Sequence, residues 1–234
     1  MYIGIDLGTS GVKAILVDHD QHVLSVAHAK LDVHKPQDGF SEQNPLDWII
    51  ATENCLFQLQ KNQPTEFSAT ISIGISGHMH GATLIDKEGK VIRACILWND
   101  TRSYQECVEF EDQEFDVRKI SGNITMPGFT APKINWIKKN EPENFDVIDK
   151  VLLPKDYLRF HLTGEFFSEM SDASGTLWMD IKNRQWSEKL LSASFLTKEN
   201  MPLLVEGNEE AGILKNSLKS KFKFNNNVII VGGA

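Results

Sequence analysis

A chain of 234 residues, 41% hydrophobic and 24% charged, has enough material to bury a core without disulfide or metal staples, and at roughly 150 residues per domain it makes between one and two domains. Its 24 basic and 32 acidic residues leave a net charge of −8. That balance argues against nucleic-acid or anionic-membrane binding, which need basic patches, but not against an anionic ligand held by backbone N–H groups. Cys55, Cys95 and Cys107 form no C-x-x-C and have no His at metal spacing, so reduced thiols are expected and a zinc site is not. The N-terminus lacks a basic segment followed by an apolar leader, and no apolar run approaches the ~20 residues of a membrane span.

In chain order, 2–6 is an Ile-rich alternating run, Gly8-Thr9-Ser10-Gly11 a glycine turn, 12–17 a second apolar run, Asp18-His19-Asp20 a second turn and 23–27 a third run. Strands joined this tightly predict an antiparallel meander. After an excursion over 32–43, Asn44 can cap a helix with Pro45 in its first position. Leu46, Ile49, Ile50, Leu56, Phe57 and Leu59 recur at helical spacing and predict its buried face. Residues 69–75 read as a central strand packed on both faces. Segments 83–85 and 91–97 can pair as a hairpin across 87–90. Helices are predicted at 102–115 and 131–140, a strand at 147–153, a helix opened by Pro154 and closed by Gly164, and a helix at 186–194. Residues 228–231 are an apolar run entering Gly232-Gly233, a weak echo of 2–8. As a buried-type strand, it is expected to open a further domain, which divides the chain into 1–227 and 228–234.

Asp6-Leu7-Gly8-Thr9-Ser10-Gly11-Val12-Lys13 puts a carboxylate at a strand end beside a turn of small residues. Small residues let backbone amides converge on an anion, the hydroxyls add donors, and Lys13 can neutralise phosphate charge. The Asp6 carboxylate would repel a phosphate unless a cation lay between them, which points to Mg²⁺ held through water. The same residue types also make an ordinary glycine-rich hairpin, and the stretch matches neither GxxxxGK[ST] nor GxGxxG. Gly77-His78-Met79-His80-Gly81 follows an apolar strand, where α/β proteins carry ligand sites. A hydrogen-bonded surface loop fits it as well, and no acidic or cysteine neighbour supports a metal there. Trp98-Asn99-Asp100-Thr101-Arg102 sets an indole face beside amide, carboxylate and guanidinium groups, which suits a polyol. Asn99 or Asp100 can also cap the following helix, and both readings can hold at once. The stretch 126–133 reads as a loop entering a helix.

Together these stretches resemble the FGGY family of carbohydrate kinases. Residues 6–13 are similar to the family's first phosphate loop, and Gly128, Thr130, Lys133, Ile134 and Trp136 fit its first signature. The resemblance extends through 79–84, 96–100, 151–158 and 170–173 and spans the whole chain, as the N-terminal half of such a kinase. It implies an α/β fold of the actin/hexokinase/Hsp70-like (ribonuclease H-like) kind, with a mixed central sheet flanked by helices. Two related domains would close over ATP-Mg²⁺ and a sugar. The implied reaction transfers the ATP γ-phosphate to D-xylulose, giving D-xylulose 5-phosphate. The alternatives are kinases of gluconate, ribulose or glycerol, or a non-catalytic sugar- or nucleotide-binding module.

In this resemblance Asp6 would help hold Mg²⁺ and the transferring phosphate. Gly8, Thr9, Ser10, Gly11 and Lys13 would bind the nucleotide phosphates. Met79 and His80 would contact the sugar, with Trp98, Asn99 and Asp100 near it. The implied partners are D-xylulose, ATP, the chain's own C-terminal domain and a second copy in a homodimer, in the cytoplasm. The family's catalytic base is an Asp directly after a glycine-rich turn that follows a strand. Residues 228–233 look like that lead-in, so the Asp is expected one or two positions beyond Ala234, and residues 1–234 alone are expected to be inactive. The chain departs from the family where Trp-x-Glu-Gln-Asp-Pro is usual and Phe40-Ser41-Glu42-Gln43-Asn44-Pro45 stands instead. The ring and the capping role are kept and one charge is lost.

Overall fold

Period-two alternation sets the first sheet. β1 (Tyr2–Gly8), β2 (Gly11–Val17) and β3 (Val23–Lys30) form the expected antiparallel meander in this computed structural model, which describes residues 1–234. Ile3, Ile5 and Leu7 of β1 and Val12, Ala14 and Leu16 of β2 are buried. Asp6 and Lys13 have the opposite parity, are exposed, and stand opposite each other in the register. β4 (Ser72–Gly77) runs parallel to β1 with Asp6 level with Ser76. β5 (Glu210–Ile213) is an edge strand antiparallel to β6 (Ile229–Val231), and β6 runs parallel to β4. The mixed six-stranded order is β5-β6-β4-β1-β2-β3.

The 228–231 run lies in the same sheet as the N-terminal strands. β6 pairs with Ser72 and Ile73 of β4 and completes this sheet. An apolar run looks the same whichever side its partner lies on, so only the pairing distinguishes the cases. β4 is not packed equally on both faces. Ile73 and Ile75 are buried, whereas Ser72, Gly74 and Ser76 are half-buried on the side that carries Asp6.

α1 (Pro45–Asn62) starts as read, with the Asn44 side chain accepting from the Leu46 N–H at 3.2 Å and Pro45 in the first turn. Its buried face is rotated from the expected one. Trp48, Ala51, Thr52, Cys55, Leu56 and Leu59 turn inward with Ile49, while Leu46, Ile50 and Phe57 are exposed. The true stripe includes small and polar residues that a count of large hydrophobes passes over. α2 (Thr130–Asn140) and α3 (Pro154–Thr163) fall where predicted, and Gly164 ends α3 in the left-handed region at φ 87°. α1 and α3 pack together with β4 in a first core that includes Leu7, Trp48, Ile75 and Leu158. A second core around Ile134 of α2, with Phe110, Trp178 and Leu190, also takes in Ala82 and Ile96.

The 83–97 hairpin forms only in part. The chain does turn back there, with the Ile92 N–H on the Leu84 carbonyl. The strand partner of Thr83–Ile85 is Lys150–Leu152, and Cys95–Ile96 pairs with Glu42–Gln43. These pairings draw four distant segments towards one end of the sheet. Shorter helices, Tyr104–Glu111 and Glu188–Ser192, lie within the predicted windows. All three cysteines are free and buried, and no helix is long and apolar enough to cross a membrane.

Candidate functional site

The first wall of the site is the hairpin between β1 and β2. Gly8 and Gly11 pair across it, and a Cβ on Gly11 would stand 2.6 Å from the Ala29 carbonyl, so the neighbouring strand requires glycine there. Asp6 ends exposed, and the Ser76 Oγ–H donates to its Oδ1 at 3.3 Å. Asp6, Lys13 and Ser76 line a cavity of about 540 Å³ whose far wall is Gly207, Gly233 and Ala234. A hollow of about 470 Å³ over Gly8, Ser10, Gly11 and Lys30 shares Asp6 and Lys13 with it. One open carboxylate beside a hydroxyl fits Mg²⁺, which keeps several waters and shares its shell with phosphate oxygens, and the Lys13 ammonium suits the phosphate and not the ion. A metal caged entirely by protein would need more carboxylates.

The second wall is built around His80. Its backbone is left-handed at φ 64°, a conformation that costs a residue with a Cβ about 1 kcal/mol or more unless its surroundings enforce it. Here they do. The His80 carbonyl accepts from Lys133 Nζ at 2.8 Å and from Thr130 Oγ1 at 3.2 Å. Lys133 is fully buried and also donates to the Gly128 carbonyl at 2.7 Å. Burial pushes its ammonium down to about 7. An amine retains two N–H donors when neutral, so both carbonyls stay satisfied in either state. His80 Nδ1 lies 2.8 Å from the Gly175 carbonyl. A carbonyl can only accept, so the proton sits on Nδ1 and Nε2 is left as an acceptor. Burial first, then the Lys133 charge, lowers the His80 pKa to about 4 and keeps the ring neutral at pH 7. Phe129 packs edge-on against it at 4.4 Å. Thr130 and Lys133 are signature positions whose part in the site the sequence did not show, and Gly175 carries no sequence signal.

The two walls touch. Trp98 Nε1–H donates to Thr9 Oγ1 at 3.0 Å, with the indole 44% exposed beside the exposed Asn99. Gln43 braces the hairpin from behind. Its Nε2 donates to the Thr9 carbonyl at 2.7 Å, and its Oε1 accepts from Trp48 Nε1 at 3.1 Å. A Cβ on Gly128 would meet the Trp98 carbonyl at 2.5 Å, so the signature glycine is what lets these loops approach. Met79 is 48% exposed.

Asp100 departs from the expected sugar contact. Its side chain is fully buried, pairs with Arg102 at 2.7 Å and accepts from the Ser41 N–H at 2.6 Å. It therefore orders the loops behind Trp98. Arg102 also lies 3.7 Å above the Phe40 ring and 2.7 Å from Glu42, so the substituted aromatic position keeps a cation–π role. Asn44, at the altered carboxylate position, serves as the helix cap.

Residues 1–234 match the FGGY family of carbohydrate kinases, N-terminal domain. The chain is 46% identical over 233 residues to the xylulose kinase of Escherichia coli (strain K12), with 100% of this chain covering 48% of that protein. It aligns with the crystal structure of a "xyloylose kinase" from Brucella ovis at a TM-score of 0.98 and 52% identity, covering 100% of this chain and 48% of that one. Gluconate kinase from Lactobacillus acidophilus aligns at a TM-score of 0.93 and 22% identity, over 100% of this chain and 47% of that one, a likeness of fold alone. The chain belongs to the FGGY family of carbohydrate kinases and has the actin/hexokinase-like α/β fold expected from its sequence. It spans about half the length of the curated relatives it matches.

Proposed function

We propose that the chain is the sugar-binding and phosphate-loop half of a kinase that transfers the ATP γ-phosphate to the terminal hydroxyl of D-xylulose, giving D-xylulose 5-phosphate. The observation that carries this reading is the Trp98–Thr9 hydrogen bond, which brings a segment suited to a polyol against a hairpin suited to phosphate. Identity of 46% to a xylulose kinase favours D-xylulose over gluconate, ribulose or glycerol. A gluconate kinase shares the fold, so the fold alone does not choose the sugar.

Phosphoryl transfer asks a protein for alignment and charge neutralisation more than for covalent chemistry. Asp6 would hold Mg²⁺ through water, and the bound ion would offset the charge of the transferring phosphate. Lys13 and the amides of Gly8, Thr9, Ser10 and Gly11 take the nucleotide phosphate oxygens. His80 Nε2 accepts from a sugar hydroxyl, the Trp98 ring and Met79 cover its C–H surface, and the Asn99 amide offers both a donor and an acceptor. Asp100 acts at one remove by holding Arg102 and the Ser41 loop. The base for the attacking hydroxyl is assigned to an Asp just beyond Ala234, and the adenine site to a C-terminal domain, in keeping with relatives about twice as long. The same reading expects a cytoplasmic protein and a homodimer, checked by fractionation and by sedimentation.

ADP release by the full-length protein, measured with D-xylulose, D-ribulose, gluconate and glycerol, tests the proposal. Turnover is expected to be highest with D-xylulose and negligible for residues 1–234 alone. A clear preference for another sugar would replace the substrate. Native-like turnover by residues 1–234 would overturn the assignment of the base.

A further inference from the structure

Behind the ends of β4 and β6 runs a chain of buried charges. Arg159 on α3 is fully buried. Its Nη1 donates to Asp156 Oδ1 at 2.7 Å and to the Phe167 carbonyl at 2.8 Å, and its Nη2 donates to the Gly232 carbonyl. Asp156 also accepts from Lys155 Nζ at 2.9 Å and Ser168 Oγ at 2.6 Å. Well-packed apolar residues of similar volume are commonly as stable as such a buried network or more so, so stability alone does not account for an arginine here. A guanidinium does offer a rigid plane of donors that can tie separate chain segments in fixed geometry.

One of those segments is Gly232. The glycine turn it opens is tightly wedged. The Gly232 and Gly233 N–H groups donate to the Glu209 and Gly207 carbonyls, each at 2.9 Å, and the Ala234 N–H donates to the Ile75 carbonyl at 3.2 Å. A Cβ on Gly232 would run into the Glu206 carbonyl, and one on Gly233 into the Ile75 carbonyl. This turn is the far wall of the cavity that Asp6, Lys13 and Ser76 line from the other side. Arg159 is therefore two bonded steps from the reaction space and in contact with none of it.

We propose that Arg159 is a positioning residue for phosphoryl transfer, pinning the Gly232 carbonyl and thereby setting the wall opposite Asp6. The inference rests on the kinase reading above. Reacting groups displaced by about 1 Å lose on the order of 10²-fold in rate. The sugar wall around His80 is held by Lys133, Thr130 and Gly175 instead, so sugar affinity should not follow the rate down.

The test uses full-length protein and three variants, Arg159→Met, Arg159→Lys and Ser168→Ala. Turnover is expressed per sugar-binding site, counted by calorimetric titration with D-xylulose, so that a loss of folded protein does not imitate a loss of rate. Arg159→Met is expected to lower kcat by about 100-fold with the KM for D-xylulose little changed, and Arg159→Lys should recover a substantial part of that loss. A folded Arg159→Met protein with wild-type kcat per site, or with sugar KM raised in step with the fall in kcat, overturns the positioning role. Where Arg159→Met does not fold, Ser168→Ala decides. It removes one hydrogen bond from the Asp156 carboxylate that orients Arg159, and a kcat several-fold lower at unchanged sugar KM supports the role, whereas an unchanged kcat overturns it. A wild-type protein inactive towards every sugar would overturn the kinase reading and this inference together. An active wild type with unaffected variants overturns this inference alone.

Discussion

The two walls of the gap are held by different means. The 6–13 wall is local: Asp6 faces Lys13 and Gly8 faces Gly11 within one hairpin, and both charged side chains lie in the open. The His80 wall is assembled from afar, by donors and an acceptor 50, 53 and 95 residues away in the chain, around a backbone conformation that would not persist alone. An exposed, hairpin-borne charge can change chemistry with little effect on folding. A buried, remotely supported loop mixes the two, because the groups that aim the side chain are also core residues.

The sharpest way to break this contrast is Asp6→Asn. It keeps the shape and removes the charge, and kcat of the full-length enzyme should fall by about 10²–10³-fold with the melting temperature nearly constant. A parallel loss of stability would show that Asp6 serves the fold and not the reaction. The next largest effect belongs to the other wall and is an effect on stability. His78 is 8% exposed, both its ring nitrogens lack a partner, and it meets Trp48 edge-on at 5.3 Å. Burial and then Lys133 lower its pKa from 6.5 to about 4. Between those values the unfolded chain binds a proton that the folded one refuses. Stability is therefore full above pH 6.5 and declines towards pH 4, by about 3 kcal/mol for this group. His80, lowered in the same direction, adds to the slope. Denaturant titrations at pH 7 and pH 4.5 should show a shallower decline for His78→Leu than for the wild type, and equal declines would remove His78 from the account.

His80→Ala should weaken D-xylulose binding by about tenfold, the worth of one hydrogen bond of roughly 1.4 kcal/mol, while the nucleotide KM stays put. Equal heats for wild type and variant in calorimetry would mean that His80 does not touch the sugar. The mildest test sits where the walls meet. Trp98→Phe keeps a ring and deletes the bond to Thr9, so the KM values for sugar and nucleotide should rise together by about two- to fivefold. A change in only one of them would show that the two walls do not communicate through this contact.

Much of the first wall was legible because its causes are close in sequence. Alternation put Asp6 on the face away from the core, the glycine turn set the hairpin, and Asn44-Pro45 and Gly164 marked helix ends by local hydrogen bonding and backbone preference. The buried face of α1 was misread because Thr52, Ala51 and Cys55 are not conspicuous hydrophobes, though they pack as such. Asp100 admits two readings in sequence because a carboxylate beside a tryptophan looks the same whether it faces a ligand or an arginine. The partner of 83–85 was missed because a nearby segment competes in any local reading with the real one some 65 residues away.

By itself, then, the order of residues determined the opening meander, the ends of α1 and α3 that Asn44-Pro45 and Gly164 mark, and which family's motifs the chain carries. Those depend on φ/ψ preference and on the periods of 2 and 3.6, which act over a few residues. Only the tertiary structure decided that 228–231 completes the first sheet, that Lys133 and Gly175 aim His80, and that Arg159 grips Gly232. Each of those contacts closes a long loop, and its partner is selected by three-dimensional packing and by the need to satisfy buried donors and acceptors, which no short window of sequence contains.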